Sequence, residues 1–288
     1  MKVAFLGTGA MGSGIAANIA AHGFSLRVWN SHIERAFPLR EKGAEICEDL
    51  AEAVKDADVI GMCLTADDAV KQVCGKLYPL VKRGSVIFDC STTSPGCPKE
   101  MQAKFAEKGV GFLDAPVSGG IAGANAGTLT VMVGGAEKDF EAAKPVLQAF
   151  SSYLERMGGI GAGQTTKLIN QLLTGVNQAT VCEAMLLAEK AGLDMEKLYA
   201  LLLTAWGYSK MLERSVKEYI IPKKYESAAC LQLMNKDLRL TLQMANQLGY
   251  QAPITATAAH FYNAAQENGW GKEDHSAIIK VMEQEDKL

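Results

Sequence analysis

A glycine pattern at the N-terminus constrains the fold of this chain more than any other feature. Gly7, Gly9 and Gly12 follow the strand-like segment Lys2–Leu6 and overlap the start of the helix-like segment Ala10–Ala21. In such a unit the first glycine permits a tight turn, the second lets the backbone approach a pyrophosphate, and the third lets helix and strand pack closely. The helix start adds N–H groups and a positive dipole end for phosphate. The pattern predicts a dinucleotide-binding turn. The alternative is an ordinary glycine-rich strand–helix turn.

Strand-like and helix-like segments alternate in the first half of the chain. The predicted strands are Lys2–Leu6, Ser25–Asn30, Ala44–Cys47, Val59–Leu64, Ser85–Cys90, Gly111–Asp114, Thr128–Val133 and Tyr153–Met157. The predicted helices between them are Ala10–Ala21, Ile33–Lys42, Leu50–Val54, Asp67–Tyr78, Pro98–Lys108 and Glu137–Phe150. This alternation predicts an α/β fold with a mostly parallel, doubly wound sheet of the Rossmann type.

The alternation of strands and helices ends near the glycine-rich stretch 158–163, after which no segment has the pattern of a strand. The predicted helices there are Thr165–Ala191, Met195–Ala205, Leu212–Ile220, Gln232–Leu248, Pro253–Asn268 and Ser276–Glu285. We therefore expect two domains, a sheet domain over 1–162 and an all-α domain over 163–288, in agreement with a length of 288 residues.

Composition and charge exclude several classes of function. The net charge is −3, which argues against nucleic acid as a partner, since phosphate backbones bind basic surfaces. Apolar runs fall far short of the roughly 20 residues that a membrane span needs. The seven cysteines lack Cys-x-x-Cys spacing, and the four histidines lack metal-ligand spacing, so we expect neither a metal site nor disulfides. Reduced thiols favour a cytoplasmic location.

The end of the second predicted strand bears on the choice of dinucleotide. An acid at this place would bind the ribose 2′-hydroxyl of NAD and repel a 2′-phosphate. Here Asn30 and Ser31 can instead donate hydrogen bonds to a phosphate, and Arg35 or His32 can neutralise it. The residues favour NADP, with NAD as the alternative. Asn30 has a second interpretation, as the cap of the next helix.

Loops at the carboxyl ends of parallel strands commonly bind ligands, and two of them follow predicted strands here. Leu64 and Thr65 follow one strand. Thr92 follows another and is a candidate contact of the nicotinamide half of the cofactor, with a capping or turn hydroxyl before Pro95 as the alternative.

A serine and two glycines after the strand Gly111–Asp114 suit a small carboxylate. Gly119 and Gly120 expose backbone N–H groups, and Ser118 adds a hydroxyl. An ordinary loop would also use this composition.

The helix that begins near Thr165 carries an uncharged polar stripe with one cation near its start. Its members are spaced for one helix face and are Lys167, Asn170, Gln171, Thr174, Asn177 and Gln178. Because the remaining positions are mostly apolar, we expect the helix to be largely buried, with the stripe facing a polar cavity or another polar stripe. A lysine in a cleft can donate a proton to a carbonyl oxygen, and a neighbouring amide can hold that oxygen. The alternative is a stripe that faces water.

Four blocks, taken together, resemble the β-hydroxyacid dehydrogenase family, which includes 3-hydroxyisobutyrate dehydrogenase, tartronate semialdehyde reductase and glyoxylate/succinic semialdehyde reductase. The blocks are Phe5–Gly12, Asp114–Gly120, Gly161–Gln171 and Asn235–Leu238. They occur in the family's order and cover nearly the whole chain. The resemblance implies a Rossmann domain and an all-helical domain joined by a long helix, with the site in the cleft between them.

The resemblance also implies roles for individual residues. Lys167 would be the catalytic acid/base, assisted by Asn170. The substrate would be bound by Ser118, Gly119, Gly120 and Gln171. The cofactor would contact Gly7, Gly9, Ala10, Met11, Gly12, Leu64, Thr65, Thr92 and Lys236. Taken alone, Lys236 beside Asp237 would be interpreted as an exposed charged turn of a helix.

The resemblance and the residues together predict an NADP-preferring oxidoreductase. We expect hydride transfer to or from a small carboxylate substrate such as 3-hydroxyisobutyrate, succinic semialdehyde, glyoxylate or tartronate semialdehyde, without a metal. We also expect a homodimer or homotetramer, because family members usually oligomerise through the helical domain. The alternatives are a non-catalytic dinucleotide-binding scaffold and an imine reductase.

Overall fold

The computed structural model describes residues 1–226 and 229–286. The chain divides into two compact units, Met1–Lys167 and Leu168–Leu288. The division lies within one long helix, a few residues beyond the boundary predicted between residues 162 and 163, which stays a prediction.

The first unit contains a sheet of nine strands. They are β1 (Lys2–Leu6), β2 (Ser25–Trp29), β3 (Glu45–Ile46), β4 (Val59–Met62), β5 (Val86–Asp89), β6 (Gly111–Asp114), β7 (Val117–Ser118), β8 (Leu129–Gly134) and β9 (Ser151–Gly158). The strand order is β3-β2-β1-β4-β5-β6-β8-β7, with β9 paired to β8. Strands β1 to β6 pair in parallel, which confirms the predicted doubly wound sheet.

The remaining strands depart from a purely parallel sheet. Strand β8 runs antiparallel to both β6 and β7, and β9 runs parallel to β8. The chain order reverses between β1 and β4, where open α/β sheets place their ligands at the carboxyl ends of the strands.

Six α-helices lie wholly within the first unit. They are α1 (Ala10–Ala21), α2 (Leu50–Val54), α3 (Asp67–Leu77), α4 (Gly96–Ala106), α5 (Gly120–Ala126) and α6 (Glu137–Gln148). The elements β7 and α5, both short, are not predicted from the sequence. The segment Ile33–Lys42 is helical as predicted, but it is not one continuous helix. Two 3₁₀ helices, Ile33–Arg35 and Phe37–Lys42, replace it, and Pro38 supplies no N–H for a continuous helix.

Both faces of the sheet are buried, as the continuous apolar strands require. In β1, Val3 and Phe5 belong to one apolar cluster, whereas Ala4 and Leu6 belong to another. This alternation follows from the two-residue period of a strand. Covering both faces with helices leaves the ends of the strands as the places where polar side chains can gather.

Helix α7 (Ala162–Lys190) begins in the first unit and continues into the second. The other α-helices of the second unit are α8 (Met195–Leu202), α9 (Lys210–Ser215), α10 (Leu231–Gln247), α11 (Pro253–Glu267) and α12 (Ile279–Glu285). A π-helical turn, Val216–Ile220, follows α9, and a 3₁₀ turn, His275–Ile278, precedes α12. The second unit contains no strand among its described residues, as predicted.

The second unit has its own apolar core, in which Tyr262 is the largest fully buried side chain. None of the helices that the structure describes is both long and apolar enough to cross a membrane.

Candidate active site

The glycine turn between β1 and α1 has the shape that a bound pyrophosphate needs. Gly7 has a positive φ of 90°, and a Cβ on Gly12 would lie 1.9 Å from the Gly7 carbonyl oxygen. A Cβ on Gly9 would meet no atom within 4 Å, so the side that Gly9 presents is open. Gly9 caps α1 without any side-chain hydrogen bond, and the first turn of α1 carries no acid. A helix start with these properties fits an anion, so the turn fits the phosphates of a dinucleotide.

Asn30 connects the end of β2 to this turn. Its Nδ2 donates to Thr8 Oγ1 at 2.9 Å, and its Oδ1 accepts from the His32 backbone N–H at 3.3 Å. The 3₁₀ helix that follows has His32 as its N-cap residue and no side-chain cap, so the interpretation of Asn30 as a helix cap is wrong. Ser31 and Arg35 are exposed beside Asn30.

The loops after β4 and β5 lie at the same edge of the sheet as the glycine turn, because β1, β4 and β5 are parallel. Ser91 joins these two loops. Its Oγ accepts from the Leu64 N–H at 2.8 Å and donates to Asp89 Oδ1. Burial raises the pKa of Asp89 to about 6, and the two hydrogen bonds from Ser91 oppose this rise.

The predicted cofactor residues of these two loops differ in exposure. Leu64 and Thr92 are half-buried, and Thr65 is exposed. Helix α4 begins at Gly96 with Pro95 as its N-cap residue and no side-chain cap, so Thr92 does not cap it.

The residues predicted to bind the substrate carboxylate form the junction of β7 and α5. Ser118 ends β7, where it pairs with Thr130. Gly119 and Gly120 both have positive φ, 134° and 64°, and both are exposed. Residues with side chains rarely adopt such consecutive conformations, which explains the two glycines at this turn. The junction presents a hydroxyl and successive backbone N–H groups, a combination that binds anions.

Lys167 lies in the first turns of α7 and is only 7% exposed. Its burial excludes the alternative of a solvent-facing lysine. Helix periodicity places Asn170 and Gln171 on the same face as Lys167. Within the polar stripe Gln171 and Gln178 are buried, whereas Asn177 is exposed.

The expectation that the apolar positions of α7 are largely buried is only partly met. Ile169, Leu173 and Leu187 are exposed, so several apolar side chains face outward while polar ones are buried. This arrangement indicates that the polar stripe has partners inside the protein.

One set of partners belongs to α10. Asn170 Nδ2 donates to Gln171 Oε1 at 3.1 Å, and Gln171 Nε2 donates to Asp237 Oδ2 at 2.6 Å. The other carboxylate oxygen of Asp237 lies 3.0 Å from Lys236 Nζ. Asp237 is buried, so the interpretation of Lys236 and Asp237 as an exposed charged turn is wrong. The three residues Asn170, Gln171 and Lys236, all predicted for the site, are therefore connected through Asp237 by two hydrogen bonds and one ion pair.

Asp114 and Gln164, for which the sequence pattern predicts no role, hold the start of α7. Asp114 accepts hydrogen bonds from the backbone N–H groups of Gly161 and Gln164, each at 2.7 Å. The Gln164 side chain contacts the backbone of Ser91 and Thr93. An acid at the end of an apolar strand was the signal for Asp114, since a carboxylate is seldom buried without a partner.

A cluster of possible metal ligands lies elsewhere in the first unit, where Glu45, Cys47 and Glu52 bring their ligand atoms within 4.8 Å of one another. Arg27 Nε already binds Glu45 at 3.0 Å. Burial raises the pKa of the Cys47 thiol to about 11, so the sulfur is protonated at neutral pH. These contacts indicate a surface ion-pair cluster.

Two family models cover almost the whole chain. The NAD-binding domain of 6-phosphogluconate dehydrogenase matches residues 2–159, and the NAD-binding domain of NADP-dependent 3-hydroxyisobutyrate dehydrogenase matches residues 161–282. Both descriptions name a nicotinamide dinucleotide, in agreement with the geometry of the glycine turn.

Three similar proteins have different named substrates. The chain is 34% identical to 2-(hydroxymethyl)glutarate dehydrogenase of Eubacterium barkeri, over 99% of this chain and 95% of that protein. It is also 34% identical to 2-hydroxy-3-oxopropionate reductase of Escherichia coli, over 98% of this chain and 97% of that protein. The crystal structure of a 3-hydroxyisobutyrate dehydrogenase from Salmonella typhimurium superimposes with a TM-score of 0.90 at 33% identity, covering 98% of this chain and 99% of the other.

The glycine turn, the two family models and these full-length similarities agree with one another. The chain belongs to the β-hydroxyacid dehydrogenase family, whose NAD(P)-dependent enzymes act on CH–OH groups.

Proposed function

We propose that this chain is an NADP-preferring oxidoreductase that interconverts a small β-hydroxyacid and the matching semialdehyde. The observation that carries the proposal is the burial of Lys167 on the same face of α7 as Asn170 and Gln171. A single buried cation among amides suits a reaction in which one oxygen gains and loses negative charge.

Lys167 is the proposed acid/base. The cofactor, when bound, supplies or accepts a hydride at its nicotinamide ring. In the direction of reduction the Lys167 ammonium donates a proton to the carbonyl oxygen, and in the direction of oxidation the neutral amine takes the hydroxyl proton. Asn170 assists by holding the same oxygen. Gln171 contacts the substrate, and its amide orientation is supported by the hydrogen bond to Asp237.

Ser118, Gly119 and Gly120 are the proposed carboxylate contacts. Gly119 and Gly120 have positive φ and offer successive backbone N–H groups as donors, and the Ser118 hydroxyl offers a third. A carboxylate bound there fixes one end of the substrate. The carbonyl of the bound substrate is then presented to Lys167.

The names of the three similar proteins support this substrate class. 2-(Hydroxymethyl)glutarate, 2-hydroxy-3-oxopropionate and 3-hydroxyisobutyrate each carry a terminal CH₂OH or CHO group and a carboxylate on the same middle carbon. They differ in the substituent on that middle carbon. We propose a substrate with the same three-carbon unit. In succinic semialdehyde the carbonyl lies farther from the carboxylate, and in glyoxylate it lies nearer. These two compounds therefore test the spacing.

The proposed preference for NADP rests on the residues after β2. The chain has Asn30 where an acid would bind the ribose of NAD, and the exposed Ser31 and Arg35 are available to a 2′-phosphate. The remaining cofactor contacts are proposed on the same edge of the sheet and, by the family pattern, at Lys236. Those on the edge of the sheet are Gly7, Gly9, Ala10, Met11, Gly12, Leu64, Thr65 and Thr92.

We also propose a homodimer or homotetramer in the cytoplasm. Several large apolar side chains of the second unit are exposed in the single chain, namely Leu187, Leu201, Trp206, Leu248 and Ile254. Covering these side chains with a second copy of the chain would remove apolar surface from water, which favours association. None of the cysteines that the structure describes forms a disulfide, which suits a reducing compartment. Light scattering that gives a monomer mass would contradict the oligomer.

The decisive experiment compares Lys167→Ala with Lys190→Ala. Lys190 is an exposed lysine at the far end of the same helix. We expect Lys167→Ala to lower kcat by about 10²- to 10⁴-fold, the usual contribution of a general acid, while the Kd of the cofactor changes little. Lys190→Ala should keep the wild-type kcat. A wild-type kcat in Lys167→Ala would contradict the proposed mechanism.

The substrate and cofactor are settled by a spectrophotometric screen. Small hydroxyacids and semialdehydes are each assayed with NADP(H) and NAD(H). Rates that are equal or better with NAD(H) would overturn the cofactor preference. Cofactor binding without turnover on any member of the panel would favour a non-catalytic scaffold.

A further inference from the structure

Asp114 is a buried carboxylate that pairs with backbone N–H groups instead of a cation. It ends β6 and is fully buried. Its Oδ1 accepts from the Gly161 N–H and its Oδ2 from the Gln164 N–H, each at 2.7 Å. No ion pair among the described residues includes Asp114. The carboxylate therefore lies at the start of α7, where the helix dipole is positive and N–H groups lack partners within the helix.

The glycines around Asp114 leave it almost no room to move. A Cβ on Gly134 would lie 2.4 Å from Asp114 Oδ1. A Cβ on Gly163 would lie 2.9 Å from Asp114 Oδ2 and 2.4 Å from the carbonyl oxygen of Met132. Because both glycines admit the carboxylate only by lacking a side chain, the first turn of α7 is held in one position against β6 and β8.

Gln164 makes a second connection from the same turn. The side chain is fully buried, its Nε2 donates to the Ser91 carbonyl oxygen at 2.7 Å, and its Oε1 accepts from the Thr93 N–H at 3.0 Å. Gln164 thus binds the backbone on both sides of Thr92, which we proposed above as a contact of the nicotinamide half of the cofactor. Two polar contacts on adjacent peptide units fix that loop in both translation and rotation.

Lys167 follows Gln164 by one helical turn. With a rise of 1.5 Å per residue, the two Cα atoms are separated by about 4.5 Å along the helix axis and lie on nearly the same face. The backbone that carries the proposed acid and the backbone that carries Thr92 are therefore joined by a single side chain.

We propose that Asp114 and Gln164 are positioning residues that fix the position of Lys167 relative to the loop around Thr92. Asp114 fixes the start of α7, and Gln164 fixes the loop around Thr92 to that helix. Neither residue has to touch the substrate. This inference rests on the proposed role of Lys167, and a displacement of about 1 Å in such a geometry can lower a rate by about 10²-fold.

A purely structural role would affect stability without acting through Lys167, and a double-mutant cycle separates the two cases. Gln164→Leu keeps the approximate size of the side chain and removes both polar contacts. We expect it to lower kcat by about 10- to 100-fold in the wild-type background. In a Lys167→Ala background the same change should lower the residual rate, measured at high enzyme concentration, by less than about threefold, because interacting residues are non-additive.

Gln178→Leu is the matched control. Gln178 is also a fully buried glutamine of α7, and it donates to Ser215 Oγ at 3.1 Å. It lies outside the proposed site, so Gln178→Leu should leave kcat within about twofold of the wild type even if it lowers stability to a similar extent.

Two readouts do not depend on activity. Hydrogen exchange followed by mass spectrometry on the cofactor-free protein should show faster exchange at residues 162–168 in Gln164→Leu and in Asp114→Asn. The asparagine retains only one acceptor oxygen for the two N–H groups that Asp114 binds. Fluorescence titration should give a Kd for the reduced cofactor within about threefold of the wild type for Gln164→Leu, because the glycine turn is untouched.

The possible outcomes separate this inference from the proposed function. Equal losses of kcat in the two backgrounds, unchanged kcat in Gln164→Leu, or unchanged exchange at 162–168 would each overturn the positioning role. If Lys167→Ala itself keeps the wild-type kcat, the proposed function fails and the positioning role fails with it. If Asp114→Asn does not fold, the Gln164 cycle alone decides.

Discussion

Gln171 on α7 donates a 2.6 Å hydrogen bond to Oδ2 of Asp237 on α10. Asp237 can only accept, so Gln171 must turn its NH₂ group toward the carboxylate. Its Oε1 then accepts from Asn170 Nδ2 at 3.1 Å, which fixes the orientation of the Asn170 amide as well. One buried carboxylate thus determines which way two amides of the proposed site point.

Asp237→Asn should therefore impair catalysis more than folding. The asparagine can still accept from Gln171, but it can also flip, and the neighbouring Lys236 loses its negative partner. We expect kcat to fall by about tenfold, equivalent to roughly 1.4 kcal/mol of transition-state stabilisation. Steady-state kinetics with the best substrate measures this change. Asp286→Asn, which removes an exposed partner of Lys190, is the control and should have wild-type kinetics. Wild-type kcat in Asp237→Asn would show that the amide orientations do not matter.

Two alanine substitutions in the glycine turn should have different consequences. A Cβ on Gly12 collides with the Gly7 carbonyl oxygen at 1.9 Å, so Gly12→Ala should distort the turn and lower the thermal midpoint of the protein. A Cβ on Gly9 meets no protein atom within 4 Å, and the φ of −74° suits alanine. Gly9→Ala should fold normally, yet bind the cofactor at least tenfold more weakly, because the methyl group occupies the space into which the pyrophosphate fits.

Thermal unfolding and fluorescence titration with the reduced cofactor test this pair. Normal cofactor affinity in Gly9→Ala would show that the pyrophosphate does not approach Gly9, and the proposed placement of the dinucleotide would be wrong. Unchanged stability in Gly12→Ala would contradict the close packing of the turn.

The fold could be predicted from the sequence because its signals are local. The strands β1, β4 and β5 are short apolar runs between turns, and the glycine turn lies between a strand and a helix. The failures are local as well. The segment 33–42, which contains Pro38, forms two 3₁₀ helices separated at Ala36, and β7 is too short to show a two-residue period.

The site could be predicted only where single residues carry the chemistry. Lys167 stands out as the one cation of an uncharged polar stripe. The roles of Asp114 and Gln164 depend on contacts between residues that are 47, 50, 71 and 73 positions apart, which no periodicity reveals. For Asp237 the sequence likewise predicts only a charged, exposed position on a helix. Its burial and its contact with Gln171 are visible only in the structure.

The cofactor preference can be tested at Arg35. This arginine is exposed, so its contribution to binding a 2′-phosphate should be moderate. We expect Arg35→Ala to weaken NADPH binding by about fivefold to tenfold, roughly 1 kcal/mol, and to leave NADH binding unchanged. Arg40→Ala, an exposed arginine of the next 3₁₀ helix, removes the same charge and should change neither affinity. Equal losses for NADPH and NADH in Arg35→Ala would contradict a contact with the 2′-phosphate.

Asp89 should make the first unit less stable as the pH rises. Burial raises the pKa of Asp89 from 3.8 to about 6, so the folded state binds its proton more tightly than the unfolded state. The stability associated with this group is fully present below pH 4 and is lost as the pH rises to about 6. Between pH 4 and pH 7 the wild type should lose about 2 kcal/mol relative to Asp89→Asn. Urea unfolding at a series of pH values measures the difference, and a constant difference would rule out the raised pKa.

His275 should have the opposite effect in the second unit. It is buried, its Nδ1 has no hydrogen-bond partner among the described residues, and burial lowers its pKa from 6.5 to about 4. The folded state therefore disfavours the charged imidazole, and its contribution to stability is present above pH 6.5 and lost as the pH falls to about 4.

Relative to His275→Gln, the wild type should lose about 3 kcal/mol of unfolding free energy between pH 7 and pH 4. His260→Gln replaces an exposed histidine near Glu285 and is the matched control for the histidine-to-glutamine change itself. Because the glutamine side chain does not titrate, the comparison isolates the proton taken up by His275 on unfolding. An equal difference from the wild type at pH 4 and pH 7 would mean that His275 is already protonated in the folded protein, or that it binds its proton equally well in both states.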